Sequence, residues 1–96
     1  MKPSQALSIH RDAVRKIVES HCAGNARVFG SSAKGTDTED SDLDILVDPT
    51  QDATLFDIGA IRFELRSLLG VPVDVLTPNA LPESFRAFVL ANAVQV

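Results

Sequence analysis

The sequence predicts an α+β fold, a small mixed sheet of three to four strands packed with helices, and three observations carry that expectation. Apolar residues recur at helical spacing in three stretches, around 7–21, 55–69 and 85–92. Short apolar runs, each containing β-branched residues, lie between them at 26–29, 42–47 and 71–76. The last two runs flank a helix, and a strand, helix, strand unit closes by a right-handed crossover that leaves its strands as parallel neighbours. With 96 residues the chain fits one domain, 1–96, with a single core.

Each element has its local reason. Ser4 is placed to cap a first helix in which Leu7, Val14, Ile17, Val18 and His21 share a face, and Gly24-Asn25 is expected to end it. Ala26 to Phe29 reads as a short strand that breaks at Gly30, and Ser31 to Lys34 as one helical turn ended by Gly35. Residues 36–41 are a polar loop, in which Asp37, Glu39 and Asp40 are read as solvated charges. The strand from Asp42 to Val47 is stopped by Pro49. Leu55, Ile58, Ile61, Leu65, Leu68 and Leu69 mark a helix ended by Gly70, and Pro72 suits an edge strand or the start of one. From Pro82 a last helix presents Phe85, Phe88, Val89 and Asn92, followed by a short extended tail.

Composition excludes several classes of function. Nine basic against thirteen acidic residues give a net charge of -4, with no basic run and no Trp or Tyr, so direct nucleic-acid binding through phosphate attraction or base stacking is not expected. The five Phe are read as mostly at helix-core spacing. No apolar run approaches the roughly 18 residues of a membrane span, and the first residues lead into a polar amphipathic segment instead of a secretory h-region, so a cytoplasmic protein is expected. Cys22 is the only cysteine, which leaves no internal disulfide or cysteine zinc site, and its reading is a small, partly buried side chain near a helix end. His10 and His21 are too far apart to share an ion and read as helix-surface residues.

The unusual stretch is Val28 to Val47. Asp42 and Asp44 are two residues apart in a strand and share one face, while Leu43, Ile45 and Val47 share the other. Aspartate is depleted in strands and neighbouring carboxylates repel, so the placement is locally unfavourable unless a cation sits between them. The crossover brings a third, Asp74, beside the pair. Two familiar motifs fail here. Gly30 and Gly35 have Walker A spacing, but Thr36 and Asp37 follow where Lys and Ser or Thr are needed. Asp40, Asp42 and Asp44 match the first positions of an EF-hand, but Ile45 stands at the required Gly and Gln51 at the bidentate Glu.

Gly30-Ser31 through Lys34-Gly35, then Ser41-Asp42-Leu43-Asp44, then the lone Asp74, resembles the motif of the DNA polymerase beta superfamily of nucleotidyltransferases, Gly-Ser-x-Ala-Arg-Gly followed by Ser-Asp-x-Asp. Lys34 departs from it, standing where Arg is usual. The element order follows the family over nearly the whole chain. At this size the sequence is most similar to the minimal nucleotidyltransferases, stand-alone proteins usually paired with a HEPN-domain ribonuclease toxin.

The resemblance implies a minimal polymerase-beta-like domain and an antitoxin that transfers AMP from ATP to a hydroxyl, with tyrosine the expected acceptor, of a cognate toxin. It implies Asp42, Asp44 and Asp74 as catalytic ligands of magnesium, two ions in number, with Asp74 serving the ion that activates the nucleophile. Gly30 and Ser31 would hold the triphosphate, Lys34 would supply a point charge without arginine's bidentate geometry, and Ser41 would contact nucleotide or shape the loop. Expected partners are the nucleoside triphosphate and a HEPN-domain toxin. Two other functions stay open: an antitoxin that acts by binding alone, and a transferase for a small molecule, which would need a homo-oligomer to enclose its substrate.

Overall fold

The computed structural model describes residues 1–96 and holds a four-stranded sheet in the order β3-β2-β1-β4. The strands are β1 Ala23–Phe29, β2 Leu43–Pro49, β3 Val73–Leu76 and β4 Val94–Gln95. The helices are α1 Pro3–Ile9, α2 Arg11–Ser20, the single turn α3 Ser31–Lys34, α4 Leu55–Leu69 and α5 Glu83–Asn92. Strands β2 and β3 are parallel, as the crossover through α4 requires, whereas β1 runs antiparallel to both β2 and β4. The sheet is therefore mixed. Strand β3 is an edge that begins just after Pro72, whose missing N–H interrupts no ladder there.

Alternation along the strands divides the core in two. Val28, Leu43, Ile45, Val47, Val73 and Val75 face α1, α2 and α4, which contribute Leu7, Val14, Val18, Ile61 and Leu65 among others. On the opposite face Leu46 packs with Leu81 and Val89 of the α5 region, with Phe29 and Leu76 at its margin. The second cluster is small, so part of that face stays open around its polar residues.

The first expected helix is two helices. His10 leaves helical geometry at φ -116°, ψ 24°; its N–H closes α1 on Ala6 and Leu7, and its carbonyl accepts the Val14 N–H at the start of α2. An amphipathic pattern continues across such a break because both pieces present their apolar residues to one sheet. Helix α2 ends before Gly24-Asn25, since Cys22 itself takes the left-handed conformation at φ +57°. Gly24 and Asn25 belong to β1, where the ladder slips by a bulge before Arg27 and Asn25 stands at φ +51°. His21 is not a free surface residue either: its ring bonds the Glu64 carboxylate and ties α2 to α4.

The phenylalanines also depart from expectation. Phe56, Phe63, Phe85 and Phe88 are all exposed, as is Leu55 at the head of α4, and Phe29 alone packs against a core cluster. Helical spacing shows which residues share a face, but a sheet of four short strands buries only one narrow stripe of each helix covering it.

Candidate active site

Register places the site. Asp44 and Asp74 are direct partners across the parallel β2/β3 pair, and Phe29 is the partner of Asp44 across the antiparallel β1/β2 pair. Directly paired residues project from the same face. Phe29, Asp44 and Asp74 thus form a row across the sheet on the side opposite α2 and α4, at the end where β1 finishes and β2 and β3 begin. Asp42 lies just outside β2, exposed, at the mouth of the row. The three aspartates read from the sequence come to one end of one face.

Their electrostatics are unrelieved. Burial, reinforced by the negative charges of Asp74 and Asp42, holds the Asp44 carboxyl above its ordinary value of 3.8. None of the three carboxylates forms an ion pair. Asp48, two residues beyond Leu46 on the same face of β2, makes the contrast. Its carboxylate accepts from Arg27 Nη2 at 2.5 Å and Asn25 Nδ2 at 2.8 Å, and Arg27 Nε also donates to the Asn25 carbonyl at 3.0 Å. Asp48 is bound up in structure, and Asp44 is left with its charge uncompensated.

Gly30 is fitted to this arrangement. Its backbone, φ 72° and ψ -150°, lies in a region open essentially only to glycine, and a Cβ there would stand 2.6 Å from Asp44 Oδ2. The chain therefore turns directly against the carboxylate, and α3 follows, ended by Gly35 in the left-handed conformation. Ser31 sits at the head of that turn, half-buried. Ser32 next to it has a buried hydroxyl with no hydrogen-bond partner. Lys34 is exposed at the end of the turn. Ser41 Oγ accepts the Thr38 N–H at 2.9 Å, which shapes the loop before Asp42.

One expected surface charge is buried. Asp37 accepts from the Ser4 N–H at 2.8 Å and the Ser4 hydroxyl at 2.9 Å, and these bonds hold its carboxyl below the ordinary 3.8 against the opposing effect of burial. Ser4 does not cap α1 with its own side chain; Asp37 supplies an acceptor to the helix's first turn from thirty-three residues away. Glu39 and Asp40 are exposed as expected.

The carboxylates fit a hard divalent cation by chemistry, being oxygen donors with no cation of their own beside them. No three acidic or imidazole side chains close around a single point, so further oxygens would have to come from a ligand such as a polyphosphate. The sequence reading missed Phe29 and the cavity above it, lined also by Phe88 and Asn92. Only the strand register, with Phe29 opposite Asp44, could have pointed to it.

The chain belongs to the nucleotidyltransferase domain family, whose model matches residues 7–96, and this row of carboxylates against a glycine turn is its candidate active site. It is a transferase enzyme of the minimal nucleotidyltransferase fold. MJ0435 of Methanocaldococcus jannaschii, a provisionally named protein adenylyltransferase, is 38% identical over 85% of this chain and 91% of its own length. The protein adenylyltransferase MntA of Thermococcus cleftensis is 38% identical over 72% of this chain and 70% of its own. A solved structure, provisionally described as a minimal nucleotidyltransferase, superposes with TM-score 0.88 at 39% identity, covering 97% of this chain and 95% of the other. A chain from a toxin-antitoxin crystal structure with AMP-PNP shares the fold, with TM-score 0.74 at 21% identity over 88% of this chain and 69% of that one. No helix is long and apolar enough to cross a membrane.

Proposed function

We propose that this chain is a magnesium-dependent protein adenylyltransferase that moves AMP from ATP to a hydroxyl, most suitably a tyrosine, of a HEPN-domain ribonuclease toxin, and so acts as its antitoxin. The observation that carries the catalytic part is the uncompensated row of Asp44 and Asp74, with Asp42 at its mouth and Gly30 pressed against Asp44. The names of the relatives support the choice of a protein as acceptor.

The acceptor oxygen attacks the α-phosphorus, the bond from that phosphorus to the bridging oxygen breaks, and pyrophosphate leaves with its electron pair. Asp74, beside Asp44, would orient the attacking hydroxyl and take its proton. Asp42 and Asp44 would hold magnesium, which when bound offsets charge on the attacking and leaving oxygens. Gly30 lets the phosphates approach the backbone, and Ser31 and the unpartnered Ser32 hydroxyl are donors beside it. Lys34 adds a positive charge at the end of the turn. The exposed Phe85 and Phe88, one turn apart on α5, give a partner an apolar surface beside the site. The acidic net charge suits a basic, RNA-binding partner.

Co-expression with the neighbouring toxin, followed by intact-mass and peptide mass spectrometry, tests this. The expected result is AMP on a hydroxyl side chain of the toxin, absent with Asp42→Asn. An unmodified toxin that is inhibited equally well by Asp42→Asn would overturn the enzymatic reading in favour of inhibition by binding alone.

A further inference from the structure

Between α3 and α5 lies a cavity of about 260 Å³. Phe29 and Gly30 line it from the sheet, Ala33 and Lys34 from α3, and Phe88 and Asn92 from α5. We infer that it seats the purine ring of the substrate nucleotide, between Phe29 and Phe88, and that Asn92 reads the edge of that ring and favours adenine over guanine. The inference rests on the reading above that a nucleoside triphosphate is the substrate, and adds where its base lies and what selects it.

Position comes first. Phe29 is the cross-strand partner of Asp44, so a ring resting against Phe29 lies one strand spacing, about 5 Å, from the carboxylate row. Gly30, at the margin of the same cavity, is the residue pressed against Asp44 Oδ2. A nucleotide with its base here has its phosphates led past the α3 turn toward Asp44 and Asp74 without crossing any other element.

Size and chemistry agree with position. The cavity falls just below the roughly 300 Å³ at which pockets enclose a whole drug-sized ligand, which suits one planar ring system with the rest of the molecule outside. Its walls are largely apolar and two are aromatic, the lining on which bases stack. Phe88 is 60% exposed, an apolar ring with room for a face to cover it.

Asn92 supplies the polar reader. Its Nδ2 donates to the Phe88 carbonyl at 2.8 Å, one turn back along α5, which fixes the orientation of the amide because the carbonyl can only accept. The side chain makes no other hydrogen bond to the protein, so Oδ1 and the second amide hydrogen are free. An adjacent acceptor and donor match the N6 amino group and N7 of adenine. The corresponding edge of guanine presents two acceptors and sets O6 against Oδ1.

The test uses the full chain alone, with magnesium and non-hydrolysable analogues of ATP and GTP, read by titration calorimetry and compared with inorganic tripolyphosphate. Phe88→Ala is expected to weaken both nucleotides by roughly ten- to a hundredfold through lost stacking. Asn92→Leu should weaken ATP by about tenfold or more and GTP little, collapsing the preference. Both variants should bind tripolyphosphate as the wild type does. Because both residues are exposed, unchanged thermal midpoints are expected to show that the fold is intact. Wild-type ATP affinity in both variants would overturn the inference, as would equal loss of tripolyphosphate, which would make the cavity a phosphate site. A wild-type chain that binds neither nucleotide would sink the proposed function itself, an outcome distinct from failure of the variants alone.

Discussion

Two aspartates bracket the loop between α3 and β2, and they live under opposite regimes. Asp37, where the loop leaves α3, is buried and answered by two donors of Ser4, which hold its carboxyl low. Asp44, just inside β2, is half-buried with no donor to answer it, and burial, reinforced by the charges of Asp74 and Asp42, holds its carboxyl high. Burial of a carboxylate therefore says little until its neighbours are named. Donors make it part of the scaffold, and like charges leave its charge uncompensated.

The comparison breaks most sharply in activity. Asp44→Asn should lower AMP transfer by about a hundred- to a thousandfold or more, as loss of electrostatic stabilisation at a transferring phosphoryl group does, while circular dichroism stays native. Asp37→Asn should keep most of the activity in whatever fraction is folded. Similar rate losses in the two variants at equal folded fraction would erase the distinction. Gly30→Ala comes next, because the new methyl must displace Asp44 Oδ2 and occupy a backbone region hostile to it. A strain of about 1–3 kcal/mol is expected in denaturant melts, with transfer reduced beyond what unfolding accounts for.

These contrasts were unequally legible in the sequence. Asp42, Asp44 and Asp74 stood out because charges alternate with buried Leu43, Ile45, Val73 and Val75, a violation that local propensity alone exposes. The crossover then placed Asp74 beside Asp44, since strand, helix, strand has one favoured hand. Asp37 was not legible. It sits in a polar run like Glu39 and Asp40, and the Ser4 donors that bury it are distant in sequence. The break at His10 was hidden because α1 and α2 pack on one sheet and keep a common apolar rhythm. The exposure of Phe56, Phe63, Phe85 and Phe88 was hidden for a related reason: spacing reports a face, and how much of that face is covered depends on the width of the sheet beneath it.

The scaffold side of the comparison sharpens with Asp37→Ala. Removing the acceptor leaves the Ser4 N–H and hydroxyl unpaired at the head of α1, and a lost cap together with a lost charged hydrogen bond costs about 2 kcal/mol. In a domain of this size that corresponds to a fall of roughly 8–16 °C in midpoint. A change under about 2 °C would show that the clamp between the loop and α1 contributes little.

The smallest effect is a difference in how two variants respond to acid. For Asp37 the folded carboxyl is lowered below 3.8, so its stabilisation is present above that value and is lost as pH falls through the lowered one. For Asp44 the folded carboxyl is raised above 3.8, so its penalty is absent below that value and grows as pH rises through the raised one. With chelator present, Asp37→Asn should therefore melt below the wild type near neutral pH, and Asp44→Asn at or slightly above it, by a few °C at most. Lowering the pH toward about 3 should bring both variants toward the wild type, from opposite sides. Magnesium with ATP should cancel the advantage of Asp44→Asn, because ligand stabilises the form that keeps the carboxylate. Midpoints that shift in the same direction for both variants, or that keep a constant separation across the acid range, would mean that the two carboxylates do not differ in the way their neighbours imply.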